Sequence, residues 1–416
     1  MNRQKKLLLV GDYFPDIGGV TFYVHKLLTA LARLGFGIVL LQTRRGKSVD
    51  YGVVYIRRLP AKFIRRVQAI FRGLVYIGVI LRFAPFTLVK PGSFLWLLEL
   101  VGEVDNIVRG ARPVVIHSNH LSLRSLAASI VARRFSIPVI VTSHGYDSEP
   151  PPSVYEYLLR RAVVSLADVV IALTKTKRKI LVSLYENDSK IVVVPNFVEC
   201  NNIVDNVNTV EDLKRLKLSK RVEYGISPDK LVLLYLGRIE REKGIFDIIN
   251  AIDEICKTDK SICTKLEVII AGTGSAEKEL KSLLSKKNIP VKFVGKIIGN
   301  SKNNLLLVSN ILLFPTYLPE TFPTVVLEAY SFGTPVVAYG FRGINEFVLH
   351  NVTGIVLLQR DYHVLAKTIV EISKNLEALR EFGLNAFRYV RQFCERSVIP
   401  RIVHIYYIAY KNSKAN

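Results

Sequence analysis

Residues 231–244 read LVLLYLGRIEREKG: an uncharged, largely aliphatic run, a glycine where it stops, then a short loop dense in charge. A continuous apolar run of this length, bounded by turn chemistry, describes a strand covered on both faces, as in a parallel sheet. Ligand contacts in such sheets come from residues just beyond the carboxyl ends of the strands. Gly237, Arg238 and Lys243 therefore fall where binding chemistry belongs.

The same pattern continues in both directions. Toward the N-terminus run LLLV (7–10), IVLL (38–41), VVIH (114–117), VIVT (139–142), VVIAL (169–173) and IVVVP (191–195). A polar stretch from about Asn201 to Lys230 interrupts, and the pattern restarts at 231 and goes on through LEVIIAG (266–272), VKFVG (291–295), ILLFP (311–315), PVVA (335–338) and GIVLL (354–358). Helix-length segments separate the runs, so the expectation is two doubly wound α/β domains facing a central cleft. A chain of 416 residues suits this division, since single cores stop growing near 250–300 residues, about 200 per domain being ordinary. The expected boundaries are 1–200, 201–390 and a C-terminal segment, 391–416.

Half the residues are apolar, which predicts packed cores rather than disorder. Cys200, Cys256, Cys263 and Cys394 show no CxxC pair and no metal-ligand rhythm, so neither a zinc site nor a disulfide framework is expected, and a reducing compartment is. The start, MNRQKKLLLVGDYF, has too short an apolar run for a signal segment and reads as the first strand of a cytoplasmic protein.

Lys and Arg number 58 against 35 Asp and Glu, a net charge of +23 that attracts polyanionic surfaces. Residues 61–90 concentrate it, with Lys62, Arg65, Arg66, Arg72, Arg82 and Lys90, no acid, and interleaved aliphatic and aromatic side chains. The longest uninterrupted apolar run there, Gly73 to Leu81, is nine residues, against about 20 needed to span a bilayer. Two readings stand: a segment lying in an anionic membrane surface, or a pair of core-facing helices with snorkelling arginines. No nucleic-acid module accompanies the charge, and no nucleic-acid partner is expected.

Residues 319–338, PETFPTVVLEAYSFGTPVVA, place Glu320 and Glu328 on either side of a short helix otherwise suited to burial. Pro323 suits its first turn, Gly333 a left-handed stop, and Pro335 prevents continuation, for a helix of about ten residues. Glu328 shares a narrow polar stripe with Thr324 and Ser331. A carboxylate there needs hydrogen-bond donors, which sugar and ribose hydroxyls supply. Glu320 lies in the preceding loop, where backbone N–H groups favour an anion.

This segment resembles the E-x7-E motif of the retaining nucleotide-sugar glycosyltransferases of family 4, which have the GT-B fold of two Rossmann-like domains; the resemblance also implies that 391–416 forms a C-terminal helix packing back on the first domain. The resemblance implies that Glu320 contacts donor-sugar hydroxyls and Glu328 the ribose, with Thr321, Phe322, Pro323, Thr324 and Val325 forming the loop and helix start against the donor. Thr321 and Pro323 stand where the family has glycines. LGRIEREKG (236–244) resembles the family's G-R-x4-K-G signature, so Arg238 and Lys243 would hold the donor diphosphate, two cations neutralising charge as the glycosidic bond breaks. PDIGGVTFYVHKLLTAL (15–31) resembles the N-terminal Gly-Gly loop, with Gly18 and Gly19 allowing close backbone approach. TSHGYD (142–147) resembles the His-containing loop, implying that His144 hydrogen-bonds the donor sugar. AGTGSAEKEL (271–280) resembles the family's turn with Gly272 and Gly274; Glu277 stands where a third glycine would complete a dinucleotide fingerprint. VKFVGKI (291–297) would contact the base through Lys296.

The resemblance implies a hexosyl transfer from a UDP- or GDP-sugar to a lipid-linked or polysaccharide-precursor acceptor, by same-face attack in which the leaving phosphate takes the acceptor's proton and domain closure excludes water. No Asp-x-Asp stands beside a strand end, so no divalent metal and no other cofactor is expected. The rival is a sugar-nucleotide epimerase or hydrolase on the same fold.

Overall fold

The computed structural model describes residues 5–13, 19–45, 48–200, 209–297, 299–318, 322–340 and 343–415. The chain divides into two compact units, Met1–Asn196 with Glu395–Asn416, and Phe197–Cys394. The second unit is thus an insertion into the first, and its two ends lie side by side: Val198 pairs with Cys394 as an isolated bridge.

Unit 1 is built on an eight-stranded sheet in the order β3-β4-β2-β1-β5-β6-β7-β8. The strands are β1 (Lys6–Val10), β2 (Gly37–Arg45), β3 (Val49–Asp50), β4 (Val54–Leu59), β5 (Val115–Asn119), β6 (Val139–Ser143), β7 (Val169–Ala172) and β8 (Ile191–Val193). All pairings are parallel except β3 with β4. The helices are α1 (Gly19–Arg33), α2 (Phe63–Leu74), α3 (Ile77–Phe83), α4 (Pro91–Ala111), α5 (Leu123–Phe135), α6 (Val154–Leu166) and α7 (Lys175–Tyr185). The long C-terminal helix (Glu395–Ala415) belongs to this unit and is tied to the sheet by Tyr406, whose hydroxyl bonds His117 Nδ1 in β5.

Unit 2 carries a six-stranded, wholly parallel sheet in the order β11-β10-β9-β12-β13-β14. Its strands are β9 (Leu231–Leu236), β10 (Leu266–Ala271), β11 (Val291–Gly295), β12 (Ile311–Phe314), β13 (Val336–Tyr339) and β14 (Gly354–Leu357). Its helices are α8 (Val210–Glu223), α9 (Ile245–Thr258), α10 (Lys260–Lys265), α11 (Glu277–Lys286), α12 (Asn300–Val308), α13 (Thr324–Tyr330), α14 (Tyr362–Lys374) and α15 (Leu376–Val390); the C-terminal helix is α16. The strand period of two divides the apolar runs between two cores. Val232, Leu234, Leu312, Val336 and Ala338 face one, and Leu231, Leu233, Ile311, Leu313 and Val337 face the other. Two-sided burial is why these strands read as unbroken apolar runs.

Two expectations are corrected. The cysteines form two disulfides, Cys200–Cys394 and Cys256–Cys263. The first was invisible in the sequence because its partners are 194 residues apart and meet only where the chain enters and leaves unit 2. The argument from sparse cysteines to a reducing compartment falls with it. The helix at the acidic motif runs only over Thr324–Tyr330, with Pro323 as its N-cap residue. Ser331 does not extend a polar stripe; it is buried and its hydroxyl donates to the Glu328 carbonyl, closing the helix end.

The basic segment combines features of both readings. Helix α2 buries only Ala69 and Gly73, and does so against α4 at a separation that admits no larger residue: a Cβ on Gly73 would lie 2.2 Å from Leu98 O, and one on Gly102 1.9 Å from Ala69 O. Ile70 packs partly against the same core, and the face carrying Phe63 and Phe71 remains outside it. Phe63 is 75% exposed and Phe71 66%. Among the described residues no helix is long and apolar enough to cross a membrane.

Candidate active site

In unit 2 the loops that follow β9, β10, β11 and β12 are locked to one another by main-chain hydrogen bonds. Gly237 N donates to Ala271 O at 3.1 Å, Ile239 N to Thr273 O at 3.0 Å, and Ala276 N to Ile239 O at 3.0 Å. Gly272 N donates to Gly295 O at 2.7 Å, which sets the exposed Lys296 beside the Gly272–Gly274 turn. Only glycine serves at 272: φ is +148°, and a Cβ would lie 1.8 Å from Gly237 O. At Gly274 a Cβ would lie 2.3 Å from Ile239 O. Gly237, Gly272 and Gly274 are therefore brought together, with little side chain between their backbones.

Arg238 follows directly, its guanidinium 66% exposed and held by Glu240, Nη1 to Oε1 at 2.6 Å. Tyr235 OH donates to the Arg238 carbonyl at 2.6 Å and fixes the turn. Lys243 ends the 3-10 turn Arg241–Lys243, with Gly244 in the left-handed region at φ +70°. The chain beyond β12 docks on this same turn, Tyr317 N donating to Glu242 O at 2.9 Å. Asp247, in the first turn of α9, anchors that junction: its Oδ2 accepts from Tyr317 OH at 2.6 Å and Tyr339 OH at 2.7 Å. Burial and this carboxylate push the Tyr317 phenol up to about 12 and that of Tyr339 further. Both tyrosines thus stay protonated donors.

Glu320 and Thr321 lie outside the described residues, as does Gly18. Of their neighbours, the half-buried Phe322 packs its ring edge-on at 4.6 Å from Phe347, against the core. Pro323 is buried; Thr324 and Val325 are half-buried at the start of α13. Glu328, one turn further on, is half-buried and meets Lys302 Nζ of α12 at 3.0 Å.

His144 belongs to unit 1, at the end of β6, 5% exposed. Asn119 Nδ2 donates to Val10 O at 3.2 Å, so its Oδ1 faces the imidazole and His144 Nε2–H is the donor at 2.9 Å. Burial, with His120 and His117 nearby, holds the His144 pKa well below its ordinary value, so the ring is neutral. Its backbone N–H donates to Asp147 Oδ2 at 2.9 Å, and the same oxygen lies 3.1 Å from His120 Nδ1. His120 is held at φ +72°, uncommon for a non-glycine residue. Gly19 opens α1, and a Cβ there would meet nothing within 4 Å.

Asn119, His120, Asp247 and Lys302 escaped the sequence reading. Asn119 ends β5 and His120 follows it, and the rule that led to His144 points to them as well. Nothing local marked Asp247 or Lys302, whose partners come from other helices and strands.

Residues 217–389 match the family described as Glycosyl transferases group 1, and residues 17–202 match Glycosyltransferase Family 4. The chain is 27% identical over 369 residues to a D-inositol 3-phosphate glycosyltransferase of Actinosynnema mirum, covering 82% of this chain and 80% of the relative. The fold is similar to that of sucrose-phosphate synthase from Thermosynechococcus elongatus, with TM-score 0.73, 18% identity, and 98% and 100% of the two chains covered. It is also similar to that of Anabaena HepE in complex with UDP-glucose, with TM-score 0.66, 18% identity, and 97% and 99% covered.

Proposed function

The chain belongs to glycosyltransferase family 4 and has the GT-B fold, and on that premise we propose that it is a retaining transferase moving a hexose from a UDP- or GDP-sugar to a lipid-linked or polysaccharide-precursor acceptor. The observation that carries the donor assignment is the interlocking of the Gly237–Arg238, Arg241–Gly244 and Gly272–Gly274 turns at adjacent strand ends, which brings the cations Arg238 and Lys243 to the same end of the sheet. A diphosphate suits such an edge, because fixed positive charge stabilises an anion without reorganising. The UDP-glucose bound in the HepE structure supports a nucleotide-sugar donor.

In this reading Arg238 and Lys243 neutralise the leaving diphosphate, taking the part a divalent metal would otherwise play. Glu320 binds the hydroxyls of the sugar and Glu328 those of the ribose. The acceptor hydroxyl attacks from the face the diphosphate leaves, and a phosphate oxygen takes its proton. The exposed apolar and basic surface of α2 supports work at the cytoplasmic face of an anionic membrane, the bases adding attraction and the aromatics insertion.

Thermal stabilisation by a panel of sugar nucleotides identifies the donor, since ligand binding raises the melting temperature. Acceptor-dependent release of nucleoside diphosphate, undiminished by EDTA, is the expected activity. Lys243→Ala lowers kcat and Glu320→Ala impairs sugar selectivity. Unchanged turnover in both variants, or isomerisation without acceptor, rejects the proposal.

A further inference from the structure

Outside the donor site, unit 1 holds a cavity of about 870 Å³ between the end of β4, α2 and α4. Arg57, Arg58, Lys62, Arg65 and Arg72 line it, against one carboxylate, Glu103. That carboxylate is already engaged: Arg57 Nη2 donates to its Oε2 at 3.0 Å. Arg58 is aimed by Gln42, which accepts from its Nε at 3.1 Å. Lys62, Arg65 and Arg72 have no carboxylate partner among the described residues, so those residues do not cancel the cavity's positive charge.

Helical spacing explains how one short element builds this wall. With 3.6 residues per turn, α2 divides into three faces. Ala69 and Gly73 press on α4. Arg65, Gln68 and Arg72, at spacings of three and four, line the cavity. Phe63, Ile64, Phe71 and Leu74 stay exposed on the remaining side, where Val75, Ile77 and Leu81 extend the apolar surface. A cluster of arginines suits phosphate oxygens, which the guanidinium fork grips in bidentate fashion. A bare nucleic-acid or polyphosphate site would have no use for the apolar surface beside it. An amphipathic ligand uses both.

We propose that this cavity binds the phosphate or diphosphate head of a lipid, with the apolar face of α2 entering the bilayer surface beside it. Where the transferase reading above holds, this lipid is the acceptor, and the cavity anchors it by its phosphoryl group. Arg65 and Arg72 are the specificity-determining contacts, because they project from the membrane-facing helix into the cavity.

The test uses the full chain, without sugar nucleotide, and phosphatidylcholine vesicles carrying either phosphatidic acid, whose head is a phosphate monoester, or phosphatidylglycerol, a diester, at matched surface charge. Sedimentation is expected to favour phosphatidic acid by about tenfold, the scale of one to two charge-assisted contacts. Arg65→Gln with Arg72→Gln removes the preference at an unchanged melting temperature, leaving the charge-driven binding that both vesicles share. Phe63→Ser with Phe71→Ser weakens binding to both. Equal binding by the unaltered protein, or a preference that survives the double arginine variant, overturns the proposal. So does stabilisation by inorganic pyrophosphate through Arg65 and Arg72 without any vesicle preference, which assigns the cavity to a soluble phosphoryl compound. Turnover with no phosphatidic acid preference rejects this inference alone; the preference without any sugar transfer rejects the transferase reading alone.

Discussion

Lys302 Nζ and Glu328 Oε1 lie 3.0 Å apart, joining α12 to α13 at the carboxylate proposed to bind the ribose. The pair gives the half-buried carboxylate a donor while no nucleotide is bound, and a ribose hydroxyl must share the carboxylate with the ammonium. Glu328→Gln is expected to weaken UDP or GDP binding about tenfold, the cost of one hydrogen bond to a charged acceptor. Lys302→Met, which removes the ammonium from that carboxylate, is expected to weaken it less. Calorimetric titration of both variants checks the order.

Gly272 and Gly19 make a contrasting pair. A Cβ at 272 meets Gly237 O at 1.8 Å, whereas one at 19 meets nothing. Gly272→Ala should destabilise unit 2 by about 1–3 kcal/mol, the range for forced overpacking, and abolish nucleotide binding. Gly19→Ala should leave the urea midpoint unchanged, so any loss of activity it causes reports on ligand contact.

Acid should loosen unit 1 through His117. Burial lowers its pKa from 6.5 to about 3, so below pH 6.5 the unfolded chain takes up a proton that the folded chain refuses. The stabilisation is complete above pH 6.5 and is lost as pH falls toward 3, by up to about 1.4 kcal/mol per unit. His144, also depressed, adds in the same direction. His117→Gln should flatten the dependence of the urea midpoint between pH 6 and 4, while removing the bond that holds Tyr406 and with it some stability at neutral pH.

Reduction should act unequally on the two disulfides. The Cys200–Cys394 bridge closes a loop across 194 positions and Cys256–Cys263 one across 7, so loop entropy assigns up to about 5 kcal/mol to the first and about 2 to the second. Cys394 is fully buried, which slows thiol attack. Denaturation with and without reductant, compared with Cys394→Ser and Cys263→Ser, separates the contributions.

Most of the twelve apolar runs became strands because two-sided burial leaves an unbroken mark on a sequence; β11, at the sheet edge, exposes Lys292 and Val294. Strand β4 escaped because VYIRRL gives Arg57 and Arg58 to a cavity rather than a core. The glycine turns of the candidate site were legible, since their backbone demands admit few other residues. Lys302 and Asp247 were not: each acts on a residue distant in sequence, and helix surfaces carry many such polar side chains. The Cys200–Cys394 pair escaped for a related reason, as its pairing follows the route of the chain between units and not any local spacing.

That route has a mechanical consequence. Because residues 197–394 leave and re-enter at neighbouring points joined by Cys200–Cys394, tension applied at the two termini is carried across the insertion by a single covalent link. A molecule stretched end to end should therefore lengthen by the contour of unit 1 alone, and release the hidden length of unit 2 only after a reducing agent has cut the shortcut.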